Sequence, residues 1–128
     1  SRWSKSGTGS FDEDNKILVK DFPYESIYPG SMCKTEFVLI LNNRRIRIEF
    51  KSQEKAGSTD EKIPYLLENV RHKFPEYEVI LAILGEGWRP GIKEYIAEQK
   101  FRHKKVSIFY DYDKLEGYVN DIISKSKI

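Results

Sequence analysis

Glu49 and Lys51 stand two residues apart in the stretch RIEFKSQ, residues 47–53, and a further acid, Glu36, opens the apolar run that precedes it. Successive side chains of a β-strand point to opposite faces. In RRIRIEFKSQ that alternation sends Ile46, Ile48 and Phe50 to one face and Arg45, Arg47, Glu49 and Lys51 to the other, so the acid and the base are neighbours. If the run TEFVLIL pairs with this strand, Glu36 arrives beside Glu49. Two carboxylates and a backbone carbonyl, here that of Phe50, are a good ligand set for Mg²⁺, which keeps its remaining positions for water and a phosphate oxygen. A lysine beside them holds the attacking water or helps to deprotonate it. Those are the parts of metal-assisted phosphodiester hydrolysis: charge neutralisation, a polarised phosphorus and a nucleophile formed near neutral pH. The competing reading of an isolated E-x-K is a solvated strand face with alternating charges.

Such a centre needs strands to hold it. KILVKDF, residues 16–22, reads as a strand, followed by the Pro-, Gly- and Tyr-rich loop PYESIYPGSM. Thr35–Leu41 and the strand beginning at Arg44 are joined by Asn42 and Asn43, and Asn tolerates the positive φ of a tight hairpin turn. Ser58 and Glu61 have the spacing of a capping box. Tyr65, Leu66, Asn69, Val70 and Phe74 then recur at helical spacing, with Pro64 in a first turn beginning near Ile63 and Pro75 closing the helix. YEVILAILG, Tyr77–Gly85, is a continuous apolar run, as expected of an interior strand covered on both faces. RPGIKEYIAEQKF predicts a helix, KKVSIFYDY a strand and DKLEGYVNDIISKS a last helix. The order β-β-β-α-β-α-β-α implies an α/β fold, with an antiparallel hairpin in front, parallel crossovers behind and helices flanking a mixed sheet.

Length and composition narrow the alternatives. The 128 residues suit one domain, expected over residues 16–128, with residues 1–15 as a flexible N-terminal tail. With 39% apolar and 33% charged residues the chain is globular, and its apolar runs are far shorter than the roughly 20 residues of a spanning helix. No membrane partner is therefore expected. A single cysteine, Cys33, and two histidines leave no Cys/His metal site and fit a reducing, cytoplasmic compartment. Any metal would be a hard cation on carboxylates. The net charge of +2 is too small to predict a polyanion partner by itself.

The string PYESIYPGSMCKTEFVLI…RIRIEFKSQEKAGSTDEKIPYLLENV resembles the PD-(D/E)xK nuclease superfamily, in particular a prokaryotic branch with TEF, ExKxQ and GSxDEKxPY motifs. The resemblance covers roughly Pro23 to Gly91. It implies a restriction endonuclease-like core, a DNA endonuclease activity dependent on Mg²⁺ or Mn²⁺, Glu36 and Glu49 as metal ligands and Lys51 as the catalytic lysine. Gln53, one strand repeat beyond Lys51, faces the same side and is placed to contact water, phosphate or base. The chain departs from the pattern at Glu36, where the signature usually has Asp, and at Thr35, where it usually has Pro. Asp12, Glu13 and Asp14 are the only acids upstream of the first strand, where superfamily members often carry one on a helix.

DNA contacts are expected from the basic stripe Arg44, Arg45, Arg47, Lys51 and Lys55, since phosphates are bound mainly by Arg and Lys; the alternative is a charged strand edge that discourages aggregation. Ser58 and Lys62 lie where a helix start offers free N–H groups to a phosphate, against a plain reading as cap and solvated lysine. GEGWRPG is glycine-rich but lacks the ending of a phosphate loop and is not read as a nucleotide site. The leading expectation is thus a Mg²⁺-dependent DNA endonuclease, cutting both strands through a homodimer, a partner or two visits. The alternatives are a catalytically degenerate DNA-binding or assembly module, and a structural subunit.

Overall fold

Apolar residues on alternate positions of the first long strands, and on nearly every position of YEVILAILG, build one sheet with cores on both sides. A computed structural model describes Gly9–Ser10 and residues 16–126. The strands β1 (Gly9–Ser10), β2 (Lys16–Glu25), β3 (Met32–Leu41), β4 (Arg44–Ser52), β5 (Glu78–Leu84) and β6 (Lys105–Phe109) lie in the sheet in chain order. Neighbours from β1 to β4 are antiparallel, and β4, β5 and β6 run parallel. Asn42 takes a φ of 53° in the β3–β4 turn, as its side chain permits.

Parallel neighbours require crossovers, supplied by α1 (Lys62–His72) and α2 (Ile92–Ala97), while α3 (Tyr112–Lys125) closes the chain. Ile63, Leu66, Leu67 and Val70 of α1, with Ile92 and Ile96 of α2, pack on Val79, Leu81 and Ile83. Leu115, Val119 and Ile122 of α3 cover the opposite face, on Leu39, Ile46, Ile48 and Ile80. Asp111 caps α3, accepting from the Lys114 N–H at 3.2 Å. No helix among the described residues is long and apolar enough to cross a membrane. Residues 1–8 and 11–15, including Asp12, Glu13 and Asp14, lie outside the described residues.

Two local departures from the sequence reading shape the site. β2 and β3 run on through most of the expected PYESIYPGSM loop, so only residues 26–31 connect them. Within that long hairpin Lys20 pairs with Phe37 and Phe22 with Thr35, but Asp21 and Glu36 between them do not pair, and Asp21 has a φ of 57°. The result is a paired bulge, one unpaired residue on each strand, that leaves the register unchanged and turns the side chains beyond it by one position. Phe37 packs on the α3 side, whereas Phe22 and Thr35, two residues away on their strands, meet Arg47 on the α1 side. The expected capping box also fails to form. Ser58–Glu61 is a short 3-10 turn preceding α1, with no capping bond from a side chain at its N-cap, Gly57.

Candidate functional site

β4 carries charges on a face that is covered, not solvated. Arg47 is 1% exposed and Glu49 2%, so the alternation read from RIEFKSQ is right in geometry and wrong in environment. Buried charges require partners. Arg47 finds them in Glu76, at 2.6 and 3.0 Å, and in Thr35 Oγ1, at 2.5 Å, with the rings of Phe74, Phe22 and Tyr24 around its guanidinium at 4.4, 5.4 and 5.4 Å. It is a core residue and leaves the expected DNA-contacting stripe.

Glu49 is satisfied on one side only. Its Oε2 is buried with no hydrogen-bond partner. Burial and the neighbouring charge of Glu36 push its carboxyl up to about 8, against the opposing pull of Lys51 and a Thr35 hydrogen bond. Glu36 Oε1 accepts the Phe50 N–H at 3.2 Å, so Glu36, in the middle of β3, does arrive beside Glu49, as the hairpin argument required. The N–H and C=O of one strand residue face the same neighbour, so the Phe50 carbonyl also turns toward Glu36. Thr35 and Glu36 are consecutive yet both act on Glu49, which the bulge makes possible. Beside them, Glu49, Lys51, Lys34, Tyr24, Tyr65 and Asn69 line a recess of about 250 Å³ against α1. It lies toward the carboxyl ends of the parallel strands, where open α/β sheets place their ligands.

The donor set fits a hard divalent cation. An unpartnered buried carboxylate oxygen beside a second carboxylate is the arrangement such an ion relieves, and every donor is oxygen. Among the described residues no cluster of three or more His, Cys, Asp or Glu is placed to hold a metal. Two carboxylates and a carbonyl would therefore be the protein's whole share, the rest falling to water and phosphate, as Mg²⁺ commonly accepts. One expected result follows directly. If Glu49 holds a metal, Glu49→Gln removes a ligand charge, so metal binding measured by calorimetry weakens by at least about tenfold, and because the variant no longer carries the cost of burying an acid beside Glu36, the metal-free Tm rises by roughly 4 °C. Unchanged metal affinity in that variant removes Glu49 from the site.

Gln53 is not at the centre. It is 6% exposed and its amide is fully engaged: Nε2 donates to Asp60 Oδ1 at 3.1 Å and to the Gly87 carbonyl at 2.9 Å, and Oε1 accepts the Thr59 N–H at 2.8 Å. In place of the expected catalytic contact, it anchors the 3-10 turn and the loop after β5 to the end of β4. Asp60 completes this clamp by accepting from the Arg89 N–H and Nε at 3.2 and 2.9 Å. Two of the glycines of GEGWRPG, Gly85 and Gly87, serve the same junction. A Cβ on Gly87 would lie 2.4 Å from the Lys55 carbonyl carbon, and Gly85, at φ 100°, approaches the Gln53 carbonyl as closely. Gly87→Ala should therefore cost about 2–3 kcal/mol in chemical denaturation; a loss under about 0.5 kcal/mol would show that the junction yields freely.

The remaining basic candidates separate. Lys55, Ser58 and Lys62 are exposed just beyond the end of β4 that bears Lys51. Arg45 is exposed near the other end, six residues or roughly 20 Å along the strand, and Arg44 is paired bidentately with Glu78 at 2.5 and 2.8 Å. Trp88 packs on the α1 side and donates to the Leu84 carbonyl at 2.8 Å. Sequence reasoning missed Thr35 as a partner of both buried charges, and Tyr65 and Asn69 as walls of the recess. Their only signal was position, next to Glu36 and on α1.

A mixed sheet whose antiparallel hairpin leads into parallel crossovers, flanked by helices on both faces, is a restriction endonuclease-like α/β fold. A family model described as a PD-(D/E)XK nuclease superfamily domain matches residues 6–117, and the chain belongs to that superfamily. Neither a curated protein nor a solved structure matches it.

Proposed function

We propose that this chain is a metal-dependent DNA endonuclease domain, using Mg²⁺ or Mn²⁺, with Glu36, Glu49 and the Phe50 carbonyl as ligands and Lys51 as the catalytic lysine. The observation that carries the reading is the unpartnered buried Oε2 of Glu49, set beside Glu36 and Lys51 in the recess at the end of β4. Bound there, the ion would neutralise phosphate charge and promote formation of a hydroxide nucleophile. Lys51 holds the attacking water and offsets charge on the phosphate oxygens. Lys55, Ser58 and Lys62, exposed beyond the same strand end, contact the DNA backbone. The fully engaged amide of Gln53 supports the catalytic strand from behind.

Incubation of the purified chain with supercoiled plasmid, with Mg²⁺ or Mn²⁺ and with an EDTA control, tests the reading. Metal-dependent nicking supports it. A specific contact favours a second reading: one oxygen of Glu36, the acid that replaces the usual Asp, is already engaged by the Phe50 N–H. On that reading the domain binds DNA without cutting it, and salt-dependent binding with no metal-dependent nicking distinguishes it.

A further inference from the structure

The tip of the β2–β3 hairpin carries a chemistry that phosphate hydrolysis alone does not use. The connection 26–31 is held in one shape by its own hydrogen bonds, Ser26 N–H to the Ser31 carbonyl and Ser31 N–H to the Tyr28 carbonyl, both at 2.9 Å, and Gly30 N–H to Glu25 Oε2 at 2.8 Å. Asn69 of α1 fixes it from outside, accepting the Ile27 N–H at 2.8 Å. On this rigid support the Tyr28 ring lies nearly parallel to that of Tyr65, with centroids 5.2 Å apart and planes 14° from parallel. Tyr65 lines the recess that holds Glu49 and Lys51, and its hydroxyl is 3.3 Å from the Cys33 sulfur. Tyr28 is nevertheless 60% exposed.

A single exposed tyrosine is ordinary. An exposed ring that is immobilised, stacked on a second ring forming the wall of a phosphodiester-cleaving recess, and accompanied there by the exposed Lys34, is a site with a definite ligand chemistry. A flat π-face takes another flat π-face, and a nearby ammonium takes a phosphate. In an intact duplex each base is stacked on its neighbours and offers no free face except at an end. Resting on the nuclease reading above, we propose that Tyr28, backed by Tyr65, is a stacking platform for an unpaired base beside the scissile phosphate. The substrate class of the site is then nucleic acid with unpaired bases, such as single strands, flaps or gaps, in preference to continuous duplex.

The test is equilibrium binding by fluorescence anisotropy in EDTA, where no cleavage occurs. A labelled single-stranded oligonucleotide is compared with the same sequence in a duplex closed by hairpins at both ends, for the parent chain, Tyr28→Ala and Tyr28→Trp. The expected result is tighter binding of the single strand by the parent, a loss of roughly five-fold or more of that affinity in Tyr28→Ala, its retention in Tyr28→Trp, and duplex binding unaltered by either change. The tryptophan variant guards against a fold defect, because it keeps a ring on Tyr65. Equal affinity for both nucleic acids, or a loss in Tyr28→Ala that Tyr28→Trp does not restore, overturns the platform and leaves the nuclease reading standing. Absence of binding to either nucleic acid by the parent overturns both.

Discussion

Lys51→Ala is expected to lower metal-dependent plasmid nicking by at least about 100-fold while leaving the circular dichroism spectrum and Tm near those of the parent. The two halves of that expectation have separate causes. Lys51 lines the recess with Glu49 and lowers the carboxyl it faces, so it is the cation closest in effect to the carboxylate pair. On the proposed function, removing it takes away the group that would hold water and offset phosphate charge, an interaction that counts mainly in the transition state. Its side chain belongs to neither core cluster, and the strand around it is held by pairing of β4 with β5 as far as Ser52 and Leu84. A Lys51→Ala protein that cuts at the parent rate would place the catalytic centre elsewhere.

Arg47→Met should have the largest effect on stability, a loss of about 3–5 kcal/mol in urea denaturation, because it leaves Glu76 buried without its counter-ion. That is comparable to the lower part of the whole stability range of a small domain. The second half of the expectation is a recovery. The double variant Arg47→Met/Glu76→Leu removes both charges and fills the space among Phe22, Tyr24 and Phe74 with apolar groups, so most of the loss returns. A single variant within about 1 kcal/mol of the parent would show that the ion pair is not the keystone of this core.

The same pair gives the fold an acid limit. Burial alone would raise the Glu76 carboxyl, but the Arg47 hydrogen bond and charge outweigh it and hold the group below its usual 4.5. A depressed carboxyl contributes stability that is fully present above its unfolded value and is lost as pH falls through the folded one. The parent should therefore lose stability on acidification below about pH 4.5 through this group, and the double variant should lose less. Parallel acid curves for the two proteins would count against the assignment.

The architecture was legible in the sequence because its signals are local. A continuous run such as YEVILAILG specifies a doubly covered strand wherever it lies, and two asparagines between apolar runs specify a turn. The carboxylate pair and its lysine were legible for the same reason, since strand parity and one hairpin suffice to bring them together. What covers them was not. Phe74 and Glu76 lie beyond α1, more than 25 residues from Arg47, and nothing in RRIRIEF distinguishes a charge facing water from one facing three rings. Gln53 was misplaced for a related reason. Strand alternation puts it in line with Lys51, but the chain leaves the sheet at Ser52, and the amide turns to a loop 34 residues further on.

The bulge at Asp21 and Glu36 bears on how this hairpin tolerates changes of length. Beyond it, residues 22–35 form an arm whose side-chain parity is set independently of the core half, where Leu18 and Leu39 are paired. Residues added or lost in pairs near the tip would lengthen or shorten the arm and leave Phe22, Thr35 and Glu36 where they are. A single residue lost at Asp21 or Glu36 would leave the unpaired residue of the other strand unmatched and slip the arm by one position, moving Phe22 and Thr35 relative to Arg47. Insertional variation is thus permitted a few residues from the carboxylate pair and forbidden immediately beside it.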